Sequence, residues 1–255
     1  MAGSSQKAFS CPTIPYLWYM HRKIILALLL ATMGSLLHGQ GAGQKPLRVG
    51  LGLLGATYVG DLNTNGEALY RFYPGMGFSL QFASPRRVTP QLNTGFGKFV
   101  AQNRDLEPVG AVQPNTFVET RFFFVDFRLK ARFLRERAFS PYLSAGIGLL
   151  GYTPKDQNGN NLLDNLSTRE DGETYGSITA GFPLSAGAEL KMSPFVALGV
   201  EYTYRPTGSD YLDNIGLVGL RDGNDKLQTL MLSFYFTFDP ERTINPNDMR
   251  GRDRR

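Results

Sequence analysis

The chain has 255 residues, of which 42% are hydrophobic and 19% charged, with a formal net charge of +5 and a mean hydropathy of -0.21. Taken as averages these values describe an ordinary soluble protein. They do not exclude a transmembrane β-barrel, because its strands place only every second residue on lipid and give a much weaker hydropathy signal than a spanning helix.

The first element is the apolar run "IILALLLATMGSLL" at residues 24–37, preceded by His21, Arg22 and Lys23 and followed by "HGQGAGQ". A positive flank, a short apolar stretch and small residues after it predict a secretory signal peptide over residues 1–40, with cleavage around residues 39–43. The run is too short and too poorly flanked for a good membrane anchor. Met20 opens a signal peptide of normal proportions, so residues 1–19 read as an over-called start, with a genuine N-terminal extension as the alternative. Cys11, Trp18, His21 and His38 are the only residues of their types and all precede the cut. The remaining chain therefore excludes disulfides, thiolate or imidazole zinc sites and any nucleophile that depends on a histidine base. The cut also removes Lys7, Arg22 and Lys23, leaving 24 basic residues against 22 acidic ones. The pI of about 9.3 belongs to the precursor, and no nucleic-acid partner is expected.

Residues 45–238 read as one domain of eight segments that alternate at period two. In "LRVGLGLLGATY" (47–58), Leu47, Val49, Leu51 and Leu53 share a face; in "FYPGMGFSLQF" (72–82), Phe72, Met76, Phe78, Leu80 and Phe82 do. "LNTGFGKFVAQ" (92–102) is the weakest, because Lys98 joins Leu92, Phe96 and Val100 on the apolar parity. "FFFVDFRLKARF" (122–133) sets Phe123, Val125, Phe127, Leu129, Ala131 and Phe133 against Phe122, Phe124, Asp126, Arg128, Lys130 and Arg132. "YLSAGIGLLGY" (142–152), "ITAGFPLSAGAELK" (178–191), "FVALGVEYTY" (195–204) and "LQTLMLSFYFTFDP" (227–240) complete the set. Pro183 removes a ladder hydrogen bond from the sixth, so a bulge or a locally frayed pair is expected there.

The connections after the second, fourth and sixth segments are short, and those after the first, third, fifth and seventh are long. Strict alternation of this kind marks an outer-membrane barrel with tight periplasmic turns and longer external loops, both termini being periplasmic. Size settles which face meets lipid. Eight strands enclose a bore just wide enough for side chains, and the parity opposite the large apolar residues carries Gly50, Gly52, Gly75, Gly77, Gly95, Gly97, Gly146, Gly148, Gly187 and Gly199. The charges Asp126, Arg128, Lys130, Arg132, Glu189, Lys191 and Glu201 lie on that same parity. Turned outward near the bilayer midplane, each Arg or Lys would cost about 2–4 kcal/mol. The fold expected is an all-β, eight-stranded antiparallel up-and-down transmembrane barrel, the rival being a soluble lipocalin-like barrel with every assignment inverted.

On "GLGLLGATYVGDL", "SPYLSAGIGLLGY", "SPFVALGVEYTYRPTGSDYLDN" and the aromatic last strand, the chain resembles the Bacteroidetes-type small outer-membrane β-barrel proteins of OmpA/OmpX-like architecture. "GDL" and "DYLDN" look like a subgroup that includes the PorG-like barrels of type IX secretion. The resemblance implies outer-membrane lipid and the barrel assembly machinery as partners, and a secretion-complex or periplasmic protein as a further one. Many such barrels end on a terminal aromatic, whereas here Phe238 is followed by residues 239–255, "DPERTINPNDMRGRDRR", which reads as a polar periplasmic tail.

Three clusters are candidate sites. Asp156, Asn158, Asn160 and Asp164 fall at positions 1, 3, 5 and 9 of the EF-hand spacing, but position 6 is Asn161 and position 12 is Ser167, so a weak external calcium site stands beside a solvated Asn/Gly turn. The lumen charges form either a narrow ion path or a salt-bridged plug, the plug being the better fit to so small a bore. "DYLDN" (210–214) with Asp222, Asn224 and Asp225 reads as turn and solubility chemistry rather than a hydrolytic carboxylate cluster. No catalytic residues and no cofactor beyond that weak calcium are expected. The function expected is a structural or interaction role, with a small pore or solute receptor as the alternative.

Overall fold

The computed structural model describes residues 46–63, 71–82, 87–103, 112–134, 137–164, 168–169, 172–217, 219 and 223–238. The signal peptide and the tail lie outside them. The strands are β1 (Leu47–Val59), β2 (Tyr73–Phe82), β3 (Val88–Gln102), β4 (Phe117–Arg132), β5 (Phe139–Lys155), β6 (Ile178–Gly181), β7 (Leu184–Lys191), β8 (Val196–Pro206) and β9 (Lys226–Phe238). Every neighbouring pair is antiparallel, β1 pairs with β9, and β4–β5 pairing closes the ring.

β6 and β7 together make the sixth wall strand of an eight-stranded barrel. Pro183 frays the ladder without a bulge: Gly148 faces Gly181 and Ala145 faces Leu184 on one side, while Leu184 faces Tyr204 and Gly181 faces Thr207 on the other. Two residues oppose two throughout. Gly146 N–H still donates to Pro183 O (3.0 Å) and Phe182 N–H to Pro206 O (3.0 Å), so only the missing proline N–H interrupts the strand.

The wall has the inverted polarity of a membrane barrel. Outward-facing Leu53 is 69% exposed and Ile147 64%, whereas inward-facing Asp126 and Lys130 are fully buried. That rules out the lipocalin-like arrangement, which would put the two sets the other way round. Several strands run beyond their sequence-visible segments. β4 begins at Phe117 rather than residue 122, and the extra "FVETR" points Glu119 and Arg121 outward, above the apolar band, where alternation of apolar and polar residues is no longer required.

Several glycines of the inner face each make room for a particular ring. A Cβ at Gly50 would lie 2.6 Å from Tyr235 Cε1, and one at Gly199 would lie 2.5 Å from Tyr235 Cε2, so the Tyr235 ring is clamped between two glycines. Gly95 stands in the same relation to Phe124 (2.7 Å to Cζ) and Gly187 to Tyr142 (2.5 Å to Cζ). Large side chains therefore occur along the whole bore: Tyr235 and Tyr142 in its turn-end half, and in its loop-end half Tyr58, which stacks on Phe99 (4.8 Å), followed by Phe122 and Phe124, with Leu54, Leu150 and Met231 around them. Rings that parity sends inward thus share the lumen with the small residues and charges, since a glycine on one strand makes room for a ring from its neighbour. A Gly50→Val substitution should overpack this clamp at about 1–3 kcal/mol. It is expected to lower the heat-modifiable folded fraction on unboiled gels, whereas Leu53→Val on the lipid face should leave that fraction unchanged.

Candidate functional site

Strand parity brings five cations and three carboxylates into the bore, in two connected groups. In the turn-end half, Glu189 accepts from Arg48 (2.6 Å) and from Lys130, with Arg132 at 3.6 Å. Arg132 also donates to Gln81 Oε1 (2.8 Å) and Thr89 Oγ1 (3.1 Å). Lys130 Nζ sits 3.6 Å from the Tyr142 ring centroid and the Arg48 guanidinium 4.4 Å from that of Tyr235, so the aromatics share in holding the cations. One level up, Arg128 donates to Asp126 (2.5 Å), Glu201 (2.9 Å) and Ser185 (2.8 Å), Arg205 donates to Asp126 (2.6 Å), and Tyr142 O–H donates to Glu201 (2.9 Å). A cavity of about 10 Å³ between Asn93, Phe124, Arg128, Glu201 and Met231 has room for roughly one water.

Above the aromatic layer the described parts of the third and fourth long connections cover the mouth. Leu162, Leu212 and Ile215 are buried there, and the 207–225 connection is pinned at several points. Thr120 O–H donates to Leu212 O (2.6 Å), and Asn115 Nδ2 donates to Asp213 O (2.8 Å). Asn214 is fully buried in the left-handed region (φ 68°), which asparagine tolerates. Its Nδ2 donates to Asn115 Oδ1 (3.0 Å) and Thr168 Oγ1 (2.9 Å), and its Oδ1 accepts from Tyr175 O–H (2.6 Å). Asp213 accepts from Ile215 N–H (2.9 Å) and from the Tyr58 hydroxyl, while Asp225 accepts from Leu212 N–H (2.8 Å). Gly60 lies so close to the Tyr58 hydroxyl and the Asp225 carboxylate that a Cβ has no room there. Burial raises the pKa of Asp213 and Asp225, the charges of Asp213 and then Asp210 add to this in Asp225, and Asp210 is pushed up to about 6 by burial and then by Asp61.

Six of the seven lumen charges expected from the sequence fall inside the bore. Lys191 is the exception, exposed at the turn-end rim. Arg48 and Arg205 were missed, although parity with Gly50 and with Glu201 places both inward. "DYLDN" is corrected more substantially. Asp213 and Asn214 are buried pins of the cap rather than solvated turn residues, and Asp225 is buried beside them, while Asn224 is exposed and Asp222 lies outside the described residues.

The candidate calcium loop forms two local sets. Asp156 accepts from Asn158 N–H (2.9 Å), Asn160 N–H (2.8 Å) and Asn160 Nδ2 (2.9 Å), while Asp164, which ends a short 3-10 turn, accepts from Asn161 Nδ2 (3.2 Å). These bonds lower the pKa of Asp156, the Asn160 side chain most, and its carboxylate is already engaged with loop amides.

A closed antiparallel barrel with an apolar outer wall and a polar, charge-filled bore is a membrane barrel. The chain matches the model of the outer membrane protein beta-barrel domain over residues 26–238 and belongs to that family, which places it in the outer membrane, in contact with lipid. It is similar to the solved structure of Neisserial surface protein A (13% identity, 76% of this chain and 100% of that chain, TM-score 0.48). It is also similar to OprG of Pseudomonas aeruginosa (10%, 76% and 96%, TM-score 0.45) and to Ail of Yersinia pestis (12%, 76% and 99%, TM-score 0.44). No curated protein matches it.

Glu189→Gln would leave Arg48, Lys130 and Arg132 without their shared carboxylate and should cost about 3–5 kcal/mol. Glu119→Gln on the outer wall should cost about 0–1 kcal/mol, and urea midpoints from unheated gels compare the two. The cap should respond to pH. Its carboxylates have folded pKa values above their free ones, so closure is fully stabilised below the free carboxylate value of about 3.9 and loses that stability as pH rises through the raised values, about 6 for Asp210. Hydrogen exchange of residues 207–225 is therefore expected to speed up from pH 5 to pH 8 beyond the intrinsic rate, and Asp213→Asn should flatten that dependence.

Proposed function

We propose that this barrel is a non-enzymatic structural or interaction protein of the outer membrane, with its short turns and both termini in the periplasm and its long connections outside. The observation that carries the reading is the double closure of the lumen: charge networks fill the bore, and a hydrogen-bonded cap covers one mouth. Such an interior leaves the outer wall, the cap surface and the periplasmic side as the places where the protein meets other molecules. A small pore or solute receptor would need an open path or an accessible cavity, and the packed Arg128–Asp126–Arg205 layer supplies neither. The strict alternation of short and long connections supports the orientation. The absence of histidine and cysteine after residue 38 speaks against the histidine-dependent chemistries of membrane enzymes. Within this reading the protein acts as an accessory of a secretion or envelope complex, inserted by the barrel assembly machinery.

Pull-down from cross-linked outer membranes, using the full-length chain tagged after Arg255, tests that role. Near-stoichiometric recovery of envelope or secretion subunits is the expected outcome. Recovery of the barrel alone would contradict the accessory role.

A further inference from the structure

The outer wall carries a charged cluster that the packing of the bore does not explain. Lys98 on β3 and Arg121 on β4 are direct cross-strand partners, an arrangement of like charges that is destabilising by itself. Glu119 lies beside both, 2.8 Å from Lys98 Nζ and 3.3 Å from Arg121 Nε. Directly opposite Glu119 on the next strand is Lys155, which shares the outward parity of Ile147, Leu149 and Thr153. Two cations thus share one carboxylate, and Lys155 adds a third cation from the adjacent strand at the same level of the wall. The Arg121 side chain is 64% exposed and that of Lys98 42%, so the excess positive charge is presented outward.

The position of the cluster along the wall identifies its surroundings. From Phe133 to Phe123 the outward face of β4 is apolar throughout, and ten residues at about 3.3 Å each, tilted about 40°, rise about 25 Å, the height of the apolar band of an outer-membrane barrel. Lys98 and Arg121 are the next outward pair beyond Phe96 and Phe123, which are 59% and 50% exposed. The cations thus stand at the head-group level of the leaflet on the long-loop side, with an apolar wall immediately beneath them. An anion at that level with acyl chains below it matches both parts of the surface, and a phosphate accepts bidentate hydrogen bonds from a guanidinium.

We propose that Lys98, Arg121 and Lys155 form a binding site for the phosphorylated head group of an outer-leaflet lipid, whose chains pack along Phe96 and Phe123. The lipid phosphate relieves the repulsion between the paired cations that Glu119 alone leaves uncompensated. This rests on the reading that the long connections face outward. Protease cleavage of those connections on intact cells tests the orientation separately, so failure of one can be told from failure of the other.

The test is native mass spectrometry of the full-length protein in mild detergent with bisphosphorylated lipid A, with its dephosphorylated form, and with the phosphorylated lipid in the presence of excess inorganic phosphate. The wild type should retain the phosphorylated lipid at least about tenfold better than the dephosphorylated one, and Lys98→Gln/Arg121→Gln/Lys155→Gln should lose that preference. All three substitutions lie on the outer face, and the unheated gel shift of the triple variant verifies that it folds. If that variant is unfolded, Arg121→Gln alone should give a partial loss of preference. Equal retention of the two lipids by the wild type, or an unchanged preference in the folded variant, would overturn the site. Loss of the lipid adduct to inorganic phosphate would show a simple phosphate site and overturn the lipid assignment.

Discussion

The bore of an eight-stranded barrel is the constraint from which the rest of this structure follows. Its diameter is set by strand number and tilt, and it leaves space for side chains but not for a solvent column. Charges that strand parity sends inward must therefore find one another, because each would otherwise be desolvated without compensation. Glu189 answers this by gathering three cations and Asp126 by joining two arginines, with Glu201 on the other side of Arg128. Lipid on the outside removes the usual alternative of turning a charge out to water, so among the described residues outward charge appears only where the apolar band has ended.

The same narrowness governs the aromatic layer. A ring from one strand lies over a glycine of a neighbouring strand, as Tyr235 on β9 does between Gly50 on β1 and Gly199 on β8. Glycine and tyrosine on the inner parity are two halves of one packing solution. Above this layer the strands outlast the bilayer, since a membrane strand needs only about 9–11 residues and β5 has 17. The extension gives the long connections a rigid rim on which to close, and buried carboxylates around the Tyr58 hydroxyl fasten them there.

Fold class, strand number and the sign of the lumen were legible in the sequence because lipid enforces alternation over the length of each crossing. Strand ends were not, because that requirement lapses beyond the band: Phe117 to Arg121 look irregular by hydropathy and still extend β4. Most of the lumen network was legible by parity, including Asp126, Arg128, Lys130 and Glu189. Its connectivity was not, because the partners come from strands far apart in sequence, such as Arg48 and Glu189. The cap was missed altogether. In "DYLDN" the residues that pin it are the residues that solvated turns also favour, and burial of Asn214 depends on Asn115, Thr168 and Tyr175, which no local pattern connects to it.

The filled, capped bore is the central claim, and planar-bilayer recording of the purified full-length barrel tests it most directly. Insertion without steady conductance, with current appearing only in a folded variant whose cap and lumen charges have been replaced by small residues, is the result this structure predicts. A steady open-channel current from the intact wild-type protein would contradict it.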